Sequence, residues 1–181
     1  MTWILTRSGK RFDLQEPSAK MVDGADIAYA LGQLCRFNGH TGAFYSVAQH
    51  SIIVADLVPA EHQLQALLHD AAEAYVGDMA SPLKKMLPEF RQIELRIWHA
   101  ICAHFHIEPE LPACVHDADL IALATERRDL MPPHRDAWEC LAGTQPIAAR
   151  ITPWNAAEST THFHNRLLDL LATTHRARAA A

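Results

Sequence analysis

Three stretches of this 181-residue chain place imidazoles and carboxylates where helical spacing turns them the same way. The densest is His69-Asp70-x-x-Glu73, which follows the apolar run Leu64, Leu67, Leu68; its three polar side chains occupy neighbouring rows of one helix face. Burying them together is costly unless something satisfies them. A divalent cation would, because imidazole and carboxylate are both good ligands and the ion offsets clustered negative charge. His50 belongs to the second stretch. Val47, His50, Val54 and Ala55 fall at i, i+3, i+7 and i+8, so His50 lies within an apolar stripe. In the third stretch Asp119 shares a face with Val115, Ala122 and Leu123 and projects inward with no cation in its own helix, whereas Asp117 falls on another row and faces out. A metal is the natural partner for such an inward Asp. The alternatives are a solvent-facing turn for the triplet and an ordinary core histidine at position 50.

Two flanking segments add to this chemistry. Gly77-Asp78-Met79-Ala80-Ser81-Pro82-Leu83-Lys84-Lys85 directly follows the Glu73 helix and can overhang it. Lys84 or Lys85 suits a phosphate, and Asp78 suits a water or a leaving group. Arg36-Phe37-Asn38-Gly39-His40 offers a cation, an aromatic surface and an imidazole, with core packing as the other reading of Phe37.

The elements that must carry these groups are nearly all helical. Trp3 to Leu14 reads as a small hairpin turning at Ser8-Gly9. Asp23 or Asp26 caps a first helix through Ile27, Leu31 and Leu34. A second helix spans 44 to 58 and stops at Pro59; a third spans 61 to 76 and stops at Gly77. A fourth runs from Pro88 to Phe105, and a fifth from Pro112 to just before Pro132-Pro133. Residues 132 to 154 hold four prolines and read as an irregular excursion. A last helix starts at Asn155 with Glu158 as its capping-box partner, and Arg176 to Ala181 is expected to fray. The fold class is therefore all-α, a bundle of about six helices with an N-terminal β-hairpin, in one domain over 1–181.

Composition narrows the function. A net charge of −5 argues against coating a nucleic-acid polymer, yet leaves room for a small anion held by local cations. Cys35, Cys102, Cys114 and Cys140 form no C-x-x-C pair, which excludes a zinc ribbon or redox dithiol. No signal peptide and no apolar run of membrane-spanning length is evident, which points to the cytoplasm. The 12 His are the unusual feature, and only a few of them share a face with carboxylates.

The order His50, His69-Asp70-x-x-Glu73, Gly77-Asp78, Pro82-x-Lys84 and Ala118-Asp119 resembles the HD-domain phosphohydrolases. More narrowly it is similar to the YfbR/YfdR-like nucleotidases and the related phage dATP triphosphohydrolases. The segments 35–40, 44–51 and 124–130 extend the likeness, which covers residues 1 to 131. The resemblance implies an HD-domain helical bundle with His50, His69, Asp70 and Asp119 as ligands of one divalent metal ion: Mn, Co, Fe, Ni, Zn or Mg. It implies Glu73 as acid/base residue with Asp78 assisting, Arg36 and Lys84 on phosphate, and Phe37 beside the base or sugar. YfbR-type members have Trp where this chain has Phe37, so base preference does not transfer, and His40 lies outside the general signature. The activity implied is hydrolysis of the 5′-phosphate of a deoxynucleotide, with the ion's Lewis acidity lowering the pKa of water toward roughly 7. A monophosphate is the expected substrate. A triphosphate, releasing tripolyphosphate, is the close alternative; its outer groups would want further cations such as Arg127 or Arg128, which otherwise read as a solvated helix end. A metal- and nucleotide-binding sensor without turnover and a metal-free His-rich interaction protein are the other classes. Expected partners are a small nucleotide and, by the resemblance, further copies of the chain as a homo-oligomer, with no membrane.

Overall fold

The computed structural model describes residues 1–179, with the side chains of all but 175 and 177–179. Strands β1 (Trp3–Leu5) and β2 (Arg11–Asp13) pair antiparallel with Ile4 opposite Phe12. Gly9, at φ +80°, lets the chain reverse, and the Thr6 N–H donates to the Lys10 carbonyl across the turn at 2.9 Å. The hairpin is tied down twice. Asp26 accepts the Ser8 N–H at 2.8 Å and its hydroxyl at 2.6 Å, and fully buried Phe12 stacks on Tyr75 with ring centres 3.7 Å apart.

The helices are α1 (Gly24–Gln33), α2 (Val47–Asp56), α3 (Gln63–Leu68), α4 (Glu73–Val76), α5 (Ser81–Met86), α6 (Pro88–Phe105), α7 (Ala113–Asp129) and α8 (Ala156–Ala179). Asp23, not Asp26, caps α1, accepting the N–H groups of Ala25 and Asp26. At α8, Asn155 accepts from Ala157 and Glu158 while Glu158 accepts the Asn155 N–H at 3.0 Å, a complete capping box. The helix continues to Ala179 through part of the stretch expected to fray; residues 180 and 181 lie outside the described residues. The core sits between α1, α2, α3, α6, α7 and α8, around Ile27, Leu31, Leu67, Ile101, Phe163 and Leu167. Among the described residues no helix is long and apolar enough to cross a membrane.

Several expectations need correction, beginning with the helix count: among the described residues eight α-helices stand where about six were expected. The third helix is not continuous over 61–76. It breaks into a short 3-10 turn (Ala60–His62), α3 and α4, joined by a tight segment over 69–72. There Ala71 N–H bonds to the Leu68 carbonyl and Glu73 N–H to the Asp70 carbonyl, at 2.8 and 3.0 Å. These i→i−3 bonds tighten the winding, and in such a turn residues i and i+3 eclipse. Asp70 and Glu73 therefore come onto one row. The overhang after Gly77 also holds a helix, α5, that was not expected; Leu83, Met86 and Leu87 on and beside it are exposed.

The excursion over 132–154 is irregular, as expected, apart from a 3-10 turn at Glu139–Leu141. It is nevertheless anchored. Arg127 donates to the Asp136 carbonyl, Arg128 to those of Ile147 and Ala149, and Thr125 and Asp129 accept the N–H groups of Ile147 and Ile151. Gln49 on α2 bonds the Thr152 carbonyl and the Trp154 N–H at 2.8 and 2.9 Å. Arg127 and Arg128 thus hold a loop rather than forming a merely solvated helix end.

The helices α1 and α8 pack tightly at Gly32. A Cβ there would lie 2.9 Å from the Thr160 nitrogen and 3.0 Å from its Cα, both backbone atoms that cannot swing aside. Gly32→Ala is expected to lower stability by about 1–3 kcal/mol, as for an overpacked core. Urea denaturation checks this, and an unchanged midpoint would refute the contact.

Candidate metal centre

The local fold delivers each polar group to one place. Arg36 opens a 3-10 turn (Arg36–Gly39) in which Phe37 and Asn38 take left-handed backbone angles, φ 55° and 51°, followed by Gly39 at 79°. Left-handed angles cost L-residues roughly 1–2 kcal/mol each, so tertiary contacts must hold this segment in place. The Arg36 N–H donates to the Tyr45 carbonyl at 2.9 Å and the Gly42 N–H to the Leu130 carbonyl at 3.0 Å, closing the loop onto the end of α7. Ser46 then caps α2 through the Gln49 N–H, which starts that helix three residues later than expected and sets the facing of His50.

Glu126 is the centre of this arrangement. It is fully buried on α7, accepts the Tyr45 hydroxyl at 2.9 Å and the Arg36 guanidinium at 3.2 Å, and meets His50 Nδ1 at 2.6 Å. Burial raises its carboxyl, but Arg36 and His50 outweigh this and hold it below the usual glutamate range. With Nδ1 engaged, His50 presents Nε2 to the other side, 3.2 Å from Asp119 and 3.6 Å from Asp70. His69 does the same from the tight segment: Nδ1 meets the Ala66 carbonyl at 2.7 Å, and Nε2 lies 3.3 Å from Asp70. Both Nε2 atoms are buried and lack a well-formed hydrogen bond.

One ligand atom each from His50, His69 and Asp119 lie within 4.8 Å of one another, so this group could hold a metal ion. The orphaned Nε2 atoms fit that reading, because their other ring nitrogens are taken by a carboxylate and a carbonyl, the usual arrangement behind a metal-binding imidazole. Without an ion, burial and Arg36 push the His50 imidazole down, but Glu126 and Asp119 prevail and raise it to about 10. Protons then do the work of a cation, and an ion would displace them. The Asp119 side chain is 37% exposed and forms the open edge of the cluster.

Beyond the ligand group, Glu73 is buried with Oε1 3.6 Å from Lys84 Nζ and Oε2 unpartnered. Burial, then the charges of Asp70 and Asp78, raise its carboxyl well above the usual range. Lys84 is held at 2.7 Å by Glu94 of α6, while Lys85 is exposed. Arg36 lies between Asp70, at 3.6 Å, and Glu126. The structure therefore gathers His50, His69, Asp70, Asp119, Glu73, Asp78, Arg36 and Lys84. Phe37 stands at the margin beside Arg36, its ring 6.1 Å from that of Trp138. His40 is exposed, away from the buried cluster. His116 and Asp117 are also exposed.

Sequence reasoning missed Glu126, Tyr45, Glu94 and Trp138. Glu126 had a signal: it follows Asp119 by seven residues, two helical turns on the same face. The other three had none, because their partners lie on other elements.

Fold and site together define a mostly helical protein with a His/Asp group suited to a metal ion. Over 143 residues it is 43% identical to the "uncharacterized protein YfdR" of Escherichia coli (strain K12), a match spanning 79% of this chain and 80% of that protein. The chain belongs to the family of YfdR. It is also 35% identical over 126 residues to the "uncharacterized protein RCAP_rcc00048" of Rhodobacter capsulatus, covering 64% of each. No protein-family model matches the chain.

Glu126→Ala would strand Arg36, Tyr45 and His50 at once. The expected loss of stability is about 3–5 kcal/mol, as for a broken buried ion pair. Chemical denaturation measures it, and a loss no larger than that of an exposed substitution would show that Glu126 is not the hub.

Proposed function

We propose that this protein is a metal-dependent phosphohydrolase that removes the 5′-phosphate of a deoxynucleoside monophosphate. The observation that carries the reading is the pair of orphaned imidazole nitrogens facing Asp70 and Asp119, with a buried Glu73 carboxyl that feels the charge of Asp70. The order of these residues resembles that of the HD-domain phosphohydrolases. His50, His69, Asp70 and Asp119 would hold one divalent ion, which when bound supplies Lewis acidity toward a phosphoryl group and water. Glu73, whose carboxyl is raised well above the usual range by burial and by the charges of Asp70 and Asp78, can exchange a proton at the reaction centre through its free Oε2. Lys84, beside Glu73, and Arg36, beside Asp70, supply positive charge where phosphate oxygens would lie.

The monophosphate reading gains support at the end of α7. Arg128 is taken up by Asp129 and two loop carbonyls, and Arg127 donates to the Asp136 carbonyl, so both cations are engaged in holding the loop. The deoxyribose preference rests on the resemblance alone.

Protein purified without an affinity tag should carry close to one equivalent of a divalent transition metal, and Asp119→Ala should lose it; undiminished metal in that variant would overturn the ligand assignment. Glu73→Gln should keep the metal and the fold and lose on the order of 10²-fold or more of the rate, as for an acid/base residue. A panel of deoxynucleoside mono-, di- and triphosphates with Mn or Co decides the substrate. Release of tripolyphosphate would replace the monophosphatase reading, and no turnover of any nucleotide would end it.

A further inference from the structure

The mechanism above leaves unused the aromatic group at the margin of the cluster. Phe37 and Trp138 come from elements a hundred residues apart in sequence, yet their rings stand 6.1 Å apart at 43°, an open wedge rather than a closed stack. Each ring is backed by a guanidinium: Arg36 is 5.4 Å from the Phe37 centre and Arg127 is 5.3 Å from that of Trp138. Both rings are partly exposed. Arg36 joins the wedge to the metal centre, because its NH1 lies 3.6 Å from Asp70.

Both sides of the wedge are held in place. Phe37 sits in the left-handed segment, a conformation unfavourable for a residue with a bulky side chain. Trp138 is fixed by the loop anchors on α7 and by the turn that follows it, where the Leu141 N–H donates to the Trp138 carbonyl at 2.9 Å and Leu141 is buried. The same loop and the end of α7 wall a cavity of about 400 Å³, lined by Arg127, His134 and Leu141 among others.

We propose that Trp138, paired with Phe37, forms the subsite for the heteroaromatic base of the substrate, making Trp138 a determinant of base binding. This rests on the nucleotide reading given above. A planar base suits the wedge because it can stack on the exposed face of one ring with its edge toward the other, while the phosphate end remains at the metal centre beside Arg36. Stacking tolerates any base, so discrimination between bases would come from the loop's polar groups rather than from the rings.

The test compares wild type, Trp138→Ala and Trp138→Phe on a deoxynucleoside monophosphate and on deoxyribose 5-phosphate, which lacks a base. Trp138→Ala should raise KM for the nucleotide about 10-fold, the size of one base–aromatic stack, with kcat little changed. Turnover of deoxyribose 5-phosphate should not move, and Trp138→Phe should restore most of the nucleotide KM. Equal losses on both substrates would make Trp138 structural and overturn the proposal, as would an unchanged nucleotide KM. If wild type hydrolyses neither compound, the phosphohydrolase reading falls, and calorimetric titration with the nucleotide and with the base-free phosphate judges the subsite separately. Tighter binding of the nucleotide that Trp138→Ala abolishes upholds it; equal binding of both compounds, or of neither, rejects it.

Discussion

A carboxylate with no access to water must be neutralised by its neighbours, and in this fold that demand falls on Glu126. Its oxygens gather a guanidinium from the 36–39 turn, a phenol from the loop before α2 and an imidazole from α2 itself. By engaging Nδ1 of His50, Glu126 also decides which ring nitrogen faces Asp119. Placing the site and joining α7 to the α1–α2 connection are one interaction. The cluster in front of it, with Asp70, Glu73, Asp78 and Asp119 facing Arg36 and Lys84, carries more negative than positive charge until protons or an ion are added.

Much of this was legible in the residues because helical spacing is a local property. The facing of His50 and Asp119 followed from periods of three and four, and the outward facing of Asp117 followed from the same rule. The capping box at Asn155, the proline start of α6 and the Ser8-Gly9 turn were readable for similar reasons. What spacing does not carry is long-range pairing. Tyr45 with Glu126, Lys84 with Glu94, and Phe37 with Trp138 each join separate elements through tertiary packing. The break in the third helix was hidden for another reason: 61–76 has neither glycine nor proline inside it, so nothing local announces the change in winding. That change nevertheless puts Asp70 and Glu73 on one row, which the straight-helix reading placed only on adjacent ones.

The His/Asp cluster and the loop beside it are built on different principles. The imidazoles and carboxylates of the metal group stand on α2, the segment over 69–72 and α7, each fixed by backbone bonds and core packing. Trp138 stands on an irregular loop held by side chains of Thr125, Arg127, Arg128 and Asp129. A rigid frame for the clustered polar groups stands beside a separately fastened loop, and loops accept change that frames do not.

The near-contact of α1 with α8 at Gly32 and Thr160 bears on how the chain is made. These helices are separated by most of the sequence, yet each buries its apolar face on the other. During synthesis α1 emerges long before its partner. Ile27 and Leu31 must therefore remain without their final cover while α2 through α7 are translated. The nascent chain carries an adhesive apolar surface throughout that interval, and closure of the core is a late, non-local event governed by the arrival of α8.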